Sequence, residues 1–341
     1  MKRKRLVLLL CAVALYGLQS CAGNANAAMP QTTPEAAQVR GDQVSWPKEK
    51  LELDPQGTPM LRVYNTDTQK VESVDVETYV QGVLAGEMKN DWPLEALKAQ
   101  AILARTFVLK FVEEKESKYP NADISTDIEE AQAYDASAVN DRIRQAVAET
   151  RGLVLVSGNQ LPYAWFHAHS GGVTERAVSG LGWDREEPPY TQAVESKEPE
   201  TVQNEKDAQA LKQAQSWEAS FSAQEFAAAC AKQGVKVSVS QGTKLAVEQR
   251  GESGRAVSIS VDGQSVKATE LRIALGSTKM RSTLLTSLKL ENGQVKMAGK
   301  GYGHGVGMSQ WGAYAMAEQG KTAEEIVTHY FRNVAVAQIW N

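Results

Sequence analysis

The order of hydrophobic and polar positions divides the chain into an apolar N-terminal stretch, a polar link and a long globular region. Residues 6–18 are almost continuously apolar and follow the basic residues 2–5, whereas residues 22–48 are rich in Ala, Gln, Thr and Pro without a sustained period. A globular pattern begins near Leu51. We therefore predict an export segment over 1–28, a flexible tether over 29–50 and a folded region over 51–341.

Periodicity within the globular region predicts both helices and strands. Residues 59–75 alternate as strands do. Asp75 can cap a helix that runs to about Glu87, and Pro93 suits the first turn of a second helix that continues through Phe111. Later patterns predict a short helix over 141–150, strands over 153–156, 162–168, 244–249 and 256–261, and a hairpin turn at 262–263.

A later stretch differs in composition from the rest of the globular region. Lys, Glu, Gln and Ala dominate it, and Trp217, Phe221 and Phe226 have helical spacing. We interpret about 198–270 as a smaller inserted α/β subdomain. The predicted fold class is α+β, with helices and mixed strands around one substrate groove.

The N-terminal segment predicts an extracytoplasmic, membrane-anchored protein. Its apolar run, 6–18, is shorter than the roughly 20 residues that span a bilayer. Residues 18–21 resemble a bacterial lipobox in which Cys21 would be lipidated, and this is the favoured interpretation. Cleavage after the small-x-small residues 25–27 and an uncleaved signal anchor are the alternatives. All three place the folded region outside the cytoplasmic membrane.

Composition and charge limit the classes of binding partner that the chain is expected to have. The chain has 341 residues, is 42% hydrophobic and 23% charged, and has a net charge of −4. Without a basic stripe to neutralise phosphates, no nucleic-acid partner is predicted. Besides Cys11 and Cys21 there is only Cys230, which we predict to be a small buried residue rather than part of a disulfide framework.

The most distinctive motif is residues 301–314, which read GYGHGVGMSQWGAY. Every second position from Gly301 to Gly307 is glycine, around a single histidine, His304. Such a run permits positive φ and a close approach to the main chain. Its polar and aromatic side chains suggest a binding wall. A dinucleotide loop is not favoured, because no βαβ unit surrounds the run.

Glu87 is the candidate acid. It lies at the predicted C-terminal end of a helix, where the helix carries partial negative charge, and Met88 and Trp92 add apolar cover. Both effects disfavour the carboxylate and raise the pKa of the group. A carboxylic acid that stays protonated near neutral pH is what cleavage of a glycosidic bond requires. The alternative is a solvated surface glutamate.

His167 and His169 are two residues apart on a predicted strand and should share one face. With Glu175 they could bind zinc, but the chain has only four histidines and no cysteine cluster. Ser170 could be a nucleophile, but it lacks the Gly-x-Ser-x-Gly elbow. Neither alternative is favoured.

Four sequence blocks occur in one order over about 55–335. They are residues 87–106 (EMKNDWPLEALKAQAILART), residues 166–175 (FHAHSGGVTE) followed by Pro189-Tyr190, residues 275–282 (LGSTKMRS) and residues 303–313 (GHGVGMSQWGA). This combination resembles the stage II sporulation protein D/LytB family of bacterial cell-wall proteins.

The resemblance implies a lytic transglycosylase that cuts the MurNAc–GlcNAc bond of peptidoglycan and leaves 1,6-anhydro-MurNAc ends. It implies glycan strands stripped of stem peptides as substrate, forespore engulfment as the setting, and a cell-wall amidase and a membrane anchor as partners. It places the catalytic glutamate at Glu87 and implies no cofactor. Some members carry a Cys…His-Cys zinc loop before Gln-x-Tyr; residues 123–134 keep Gln132 and Tyr134 without Cys or His, so no metal is predicted.

One carboxyl suffices for this chemistry, since Glu87 can protonate the leaving oxygen and then take the proton of the attacking C6 hydroxyl. The groove residues expected beside it are Trp92, Arg105, His169, Ser170, Tyr190, His304, Ser309, Gln310 and Trp311. Trp92 and Trp311 could stack on sugar faces, with core packing as the alternative. Two other functions stay open: a non-catalytic amidase activator and a glycan-binding scaffold.

Overall fold

The structure is a computed structural model that describes residues 40–341. Its helices are α1 (Val76–Glu87), α2 (Leu94–Glu114), α3 (Asp141–Glu149), α4 (Ala177–Leu181), α5 (Glu205–Gln215), α6 (Ala223–Ala231), α7 (Ala268–Leu275), α8 (Gln310–Glu318) and α9 (Ala323–Tyr330). Its strands are β1 (Glu52–Leu53), β2 (Pro59–Asn65), β3 (Lys70–Asp75), β4 (Ile124–Ser125), β5 (Leu153–Val156), β6 (Phe166–His167), β7 (Ser216–Ser222), β8 (Leu245–Arg250), β9 (Ala256–Val261), β10 (Gln264–Lys267), β11 (Leu285–Glu291), β12 (Gln294–Lys300), β13 (Met308–Ser309) and β14 (Ala335–Gln338). This mixture confirms the α+β class.

The predicted export segment 1–28, the lipidation candidate Cys21 and the tether as far as residue 39 lie outside the described residues. Residues 40–50 were expected to belong to the tether, but they pack on the folded region. Val44 is buried, and the ring centroids of Trp46 and Trp340 are 5.7 Å apart. The ammonium of Lys50 donates to two carbonyl groups at the C-terminal end of α2. Both interactions favour an ordered segment.

Helices α1 and α2 form the centre of the larger core. Asp75 caps α1 by accepting the Thr78 N–H at 2.9 Å, and the helix ends at Glu87, as predicted. Pro93 was expected in the first turn of α2 and is the N-cap residue directly before it. Because α2 packs against α1, α3, α8, α9 and β5, most of its residues are buried.

Short strand pairs bring distant segments together around these helices. β2 pairs with β1 and β3 in antiparallel fashion and with β4 in parallel, while β14 pairs with β5. The parallel pair of β6 and β13 sets Met308 opposite Phe166 and Ser309 opposite His167. This pair fixes the glycine run beside the predicted histidine strand.

A second hydrophobic core extends from Trp217 to Met297. It lies among the sheets β11-β12-β7 and β10-β9-β8 and the helices α6 and α7. The predicted boundary near 270 is wrong, because β11 and β12 pair with each other and with β7 and add Leu285 and Val295 to this core.

Trp217 and Phe221 lie on strand β7 and not on a helix. An interval of four residues is close to one helical turn, but it is also an even number and places two residues on one face of a strand. Phe226 does lie on a helix, α6. Cys230 on the same helix is buried with a free thiol, as predicted. Within residues 40–341, no helix combines the length and the hydropathy needed to cross a membrane.

Arg105 lies in the larger core and does not line a groove, so its expected role at the site is wrong. Its guanidinium is fully buried, donates to both carboxylate oxygens of Glu77 at 3.2 and 2.5 Å, and reaches the Leu153 carbonyl at 2.9 Å. Glu77 also accepts the Gly152 N–H at 3.0 Å and the Trp340 indole N–H at 2.9 Å. The ion pair therefore joins α1 and α2 to β5 and to the C-terminal segment.

We predict that Arg105→Ala destabilises the fold strongly, because Glu77 is left as a buried charge without its cation. The free energy of unfolding should fall by about 3–5 kcal/mol. Arg144→Ala is the control, since it removes an exposed pair with Asp141 and should cost about 0–1 kcal/mol. Urea titrations of residues 29–341 measure both values. Similar losses in the two variants would contradict the structural role of the Arg105–Glu77 pair.

Candidate functional site

Glu87 is enclosed at the C-terminal end of α1, where only 1% of the residue is exposed. Its Oε1 accepts the Ala133 N–H at 2.7 Å, and its Oε2 has no hydrogen-bond partner among the described residues. Burial raises the pKa of Glu87 to about 8, although the Ala133 N–H and the Gln310 side chain favour the carboxylate. At neutral pH the group is therefore mainly a carboxylic acid with one oxygen unengaged.

A glycine one residue before Glu87 allows this enclosure. A Cβ on Gly86 would lie 2.6 Å from the Tyr134 nitrogen and 2.7 Å from the Ala133 carbonyl carbon, closer than real Cβ atoms approach other atoms. Because Gly86 has no side chain, the backbone of residues 133 and 134 can lie directly on α1. The Ala133 N–H then reaches the Glu87 carboxyl.

Two glutamine side chains meet beside Glu87, and a third glutamine is a sequence neighbour of Ala133. The Gln310 Nε2 lies 3.4 Å from the Glu87 carbonyl oxygen and 3.4 Å from the Gln100 Oε1. Gln132 directly precedes Ala133. Each glutamine has at least one buried amide atom without a partner in the described part of the chain. Since one such atom costs about 1–3 kcal/mol, this concentration indicates a functional rather than a stabilising arrangement.

Trp92, Trp311 and Tyr314 form an aromatic cluster next to this region. The ring centroids of Trp92 lie 4.5 Å from those of Trp311 and 5.2 Å from those of Tyr314. Both tryptophans are almost fully buried. In this conformation their faces serve core packing, which was the alternative to stacking on sugars.

A groove of about 730 Å3 opens beside the aromatic cluster. Trp92 and Tyr314 line one part of it, and residues 197–199 and 201–204 line another. Its acidic lining residues outnumber its basic ones and are Asp91, Glu198, Asp207 and Glu318, against Arg142 and Lys197. Glu87, the last residue of α1, does not line the groove.

Glu198 is another carboxylate with a buried side chain, at the wall of this groove. It accepts the backbone N–H groups of Ser170 at 2.6 Å and Gly172 at 3.1 Å. It also accepts the hydroxyls of Ser309 at 2.7 Å and Ser196 at 3.1 Å. Ser170 and Ser309, both expected to line the groove, are thus fully buried and hold Glu198 instead.

His169 lies against the same carboxylate, with its Nδ1 3.5 Å from Glu198. Because Nδ1 accepts the Gly171 N–H at 3.0 Å, we assign the ring proton to Nε2. That Nε2 is buried and has no partner within residues 40–341. Burial lowers the pKa of His169 despite the nearby Glu198, so the neutral ring keeps one unengaged donor.

The glycine run packs against the backbone and side chains of other parts of the chain, so its interpretation as a binding wall is wrong. All four alternating glycines have positive φ, and a Cβ on Gly307 would overlap the Trp165 carbonyl oxygen. His304 is structural too, because its Nδ1 accepts the Val306 N–H at 3.0 Å. Burial, together with Arg272 and Arg255, lowers the pKa of His304 to about 3.

The structure brings most of the predicted residues together in two adjoining groups. One group contains Glu87, Trp92, Gln310 and Trp311, and the other contains His169, Ser170 and Ser309 around Glu198. Tyr190 belongs to neither, since its hydroxyl accepts the Tyr163 N–H at 3.0 Å within a separate aromatic group. In the described range, no set of three or more His, Cys, Asp or Glu residues is arranged to hold a metal ion.

Sequence reasoning missed Glu198, Gln100 and Gln132 as site residues. Gln100 stands in the first family block, and Gln132 was noted only as part of Gln-x-Tyr. Both could have been found by asking why an amide stands among apolar neighbours. Glu198 has no such signal, because charged residues surround it in the sequence.

Comparisons with known proteins agree with the sequence blocks. A family model described as "Stage II sporulation protein" matches residues 64–156, and one described as a domain of unknown function matches residues 179–307. The chain is 33% identical to the stage II sporulation protein D of Bacillus subtilis over 85% of this chain and 81% of that protein. The Bacillus amyloliquefaciens protein of the same name is 31% identical over 81% and 78%. An amidase enhancer of Bacillus subtilis is 27% identical over 74% of this chain and 39% of its own length.

The raised pKa of Glu87 predicts a pH dependence of stability. The folded state favours the protonated form, so the free energy of unfolding should fall between the ordinary pKa of 4.5 and the raised pKa of about 8, by at most about 1.4 kcal/mol per pH unit. Glu87→Gln cannot titrate, so its stability should fall less. Urea titrations at pH 5 and pH 8 measure the difference, with the exposed Glu129→Gln as control. Parallel declines in the wild type and Glu87→Gln would contradict the raised pKa.

Proposed function

The chain belongs to the stage II sporulation protein D family, and from that premise we propose that it is a peptidoglycan lytic transglycosylase. Its substrate is the MurNAc–GlcNAc bond of glycan strands stripped of stem peptides, and its product carries 1,6-anhydro-MurNAc ends. The single observation that carries the proposal is the buried Glu87 carboxyl, whose Oε2 is unengaged. The proposed setting is forespore engulfment, outside the cytoplasmic membrane and anchored to it.

Glu87 performs both proton transfers in this proposal. Oε2 carries the proton and gives it to the glycosidic oxygen while the bond from that oxygen to C1 of MurNAc breaks. The C6 hydroxyl of the same sugar then attacks the oxocarbenium-like C1, and its proton returns to the Glu87 carboxylate. Between the two transfers, the Ala133 N–H stabilises the negative charge through Oε1.

The state of Glu198 supports attack by the sugar's own hydroxyl rather than by water. A hydrolase uses a second carboxylate as base or nucleophile. Both oxygens of Glu198 already accept hydrogen bonds, and action as a base or nucleophile would weaken these bonds.

The unengaged polar atoms of His169 and Gln132 suit an amide-bearing sugar. The His169 Nε2–H and the Gln132 amide can pair with hydroxyl and acetamido groups, which both donate and accept. Glu87 Oε2 is enclosed in this conformation. Binding of a glycan strand therefore requires the residues that cover it to shift.

One specific observation favours a second candidate, a non-catalytic activator of a cell-wall amidase. It is the similarity to the amidase enhancer, which covers 74% of this chain. In that function the groove would bind an amidase or a glycan without cleavage, and Glu87 would have no chemical role. An amidase and a membrane anchor are proposed partners under either function.

We predict that cleavage depends on Glu87. Amidase-treated peptidoglycan is incubated with residues 29–341, as wild type and as Glu87→Gln, and its ends are identified by mass spectrometry. Anhydro-MurNAc ends should form with the wild type and fall by about 10²–10⁴-fold in the variant, because general acid catalysis is lost. Hydrated ends would instead indicate a hydrolase. No new ends with the wild type would favour the activator, and wild-type rates in Glu87→Gln would remove Glu87 from the mechanism.

The pH profile should show an alkaline limb that belongs to Glu87. Because the first step needs the protonated acid, kcat/KM on the stripped glycan should fall above the Glu87 pKa of about 8. Initial rates between pH 5 and pH 9.5 measure the limb, and circular dichroism at each pH controls for unfolding. A profile that falls already near pH 5 would mean an ordinary carboxylate at this position.

A further inference from the structure

Glu198 is a buried charge to which the proposed mechanism gives no chemical role. Its side chain is 4% exposed, and its four hydrogen-bond donors come from three separate parts of the chain. Two are backbone amides of the loop after His169, one is the neighbouring Ser196, and one is Ser309. A buried carboxylate is costly unless it is fully paired. The arrangement is therefore a built one.

A continuous path of contacts leads from Glu198 to Glu87. Ser309 donates to Glu198 and, as the N-cap of α8, accepts the Gly312 N–H at 3.3 Å. The next residue, Gln310, is the first of α8, and its amide reaches the Glu87 carbonyl and Gln100. A negative charge beside the first turn of α8 is also favoured by the helix dipole.

We propose that Glu198 is a positioning residue for Glu87. Its hydrogen bonds to Ser309, Ser170 and Gly172 fix the start of α8 and the loop after His169. The Gln310 side chain, at the start of α8, thereby keeps its place beside Glu87. This inference rests on the transglycosylase function proposed above.

The chemistry of the four donors requires a carboxylate at position 198. Backbone N–H groups only donate, and the two hydroxyls use their hydrogens toward this group. A glutamine would turn an NH2 toward at least one of these donors and would lose the charge-assisted bonds. An aspartate keeps the charge and both acceptors on a shorter side chain. Glu198→Asp should therefore retain part of the function that Glu198→Gln loses.

The test compares kcat and KM on the stripped glycan for Glu198→Gln, Glu198→Asp and Glu195→Gln. Glu195 is exposed and three residues away, so it controls for a lost charge on the same segment. We expect Glu198→Gln to lower kcat by about 10²-fold, as a displaced catalytic group does, with KM little changed and the alkaline limb shifted. Glu198→Asp should recover most of kcat, and Glu195→Gln should match the wild type.

Folding is controlled by measuring the folded fraction of each variant by circular dichroism under assay conditions. If Glu198→Gln fails to fold, Ser309→Ala interrupts the same path and should lower kcat with an altered pH profile. If Glu198→Gln keeps the wild-type kcat, the positioning role is overturned and the proposed function stands. The same holds for Ser309→Ala where that variant replaces Glu198→Gln. A loss of kcat that is no larger than the loss of folded protein would also overturn the positioning role. A wild type that forms no anhydro ends would overturn the proposed function together with the inference.

Discussion

The exclusion of water from the Glu87 carboxyl is the constraint on which the candidate site depends. Burial disfavours the ionised form more than the Ala133 N–H and the Gln310 side chain favour it, so the group holds its proton near neutral pH. The enclosure depends on Gly86, because a residue without a side chain at that position lets the Ala133 backbone lie on α1. An acid of this kind is useful only if its neighbours hold it in one place.

Two buried charge systems provide that rigidity by different means. The Arg105–Glu77 pair joins α1 and α2 to β5 and the C-terminal segment, and so fixes the helix that ends at Glu87. Glu198 holds the loop after His169 and the start of α8. Neither the Arg105–Glu77 pair nor Glu198 has to contact the substrate to affect the reaction, because a small displacement of a catalytic acid lowers the rate. The aromatic cluster adjoins the acidic groove, and Glu198 lines that groove.

Local signals in the sequence predicted the elements that carry Glu87 but not the contacts around it. Asp75 and Pro93 set the helix boundaries by capping and by backbone geometry, which depend on neighbours in sequence. The role of Arg105 depends on Glu77 and Leu153, and no local pattern shows that these meet. The spacing of Trp217 and Phe221 suits both a helix and a strand, and pairing with β12 decided it. The role of Glu198 could not be predicted from the sequence, because its four hydrogen-bond donors come together only in the folded chain.

The central claim is that Glu87 is an acid with a strongly raised pKa, and a direct titration of its carboxyl tests it best. The protein is labelled with 13C at the glutamate side-chain carboxyl, and the resonance that Glu87→Gln removes is followed by NMR from pH 4 to pH 9.5. The expected midpoint lies near the pKa of about 8. A midpoint near 4.5, the ordinary pKa of a glutamate, would contradict it, because Glu87 would then be a carboxylate under all conditions in which it is proposed to donate a proton.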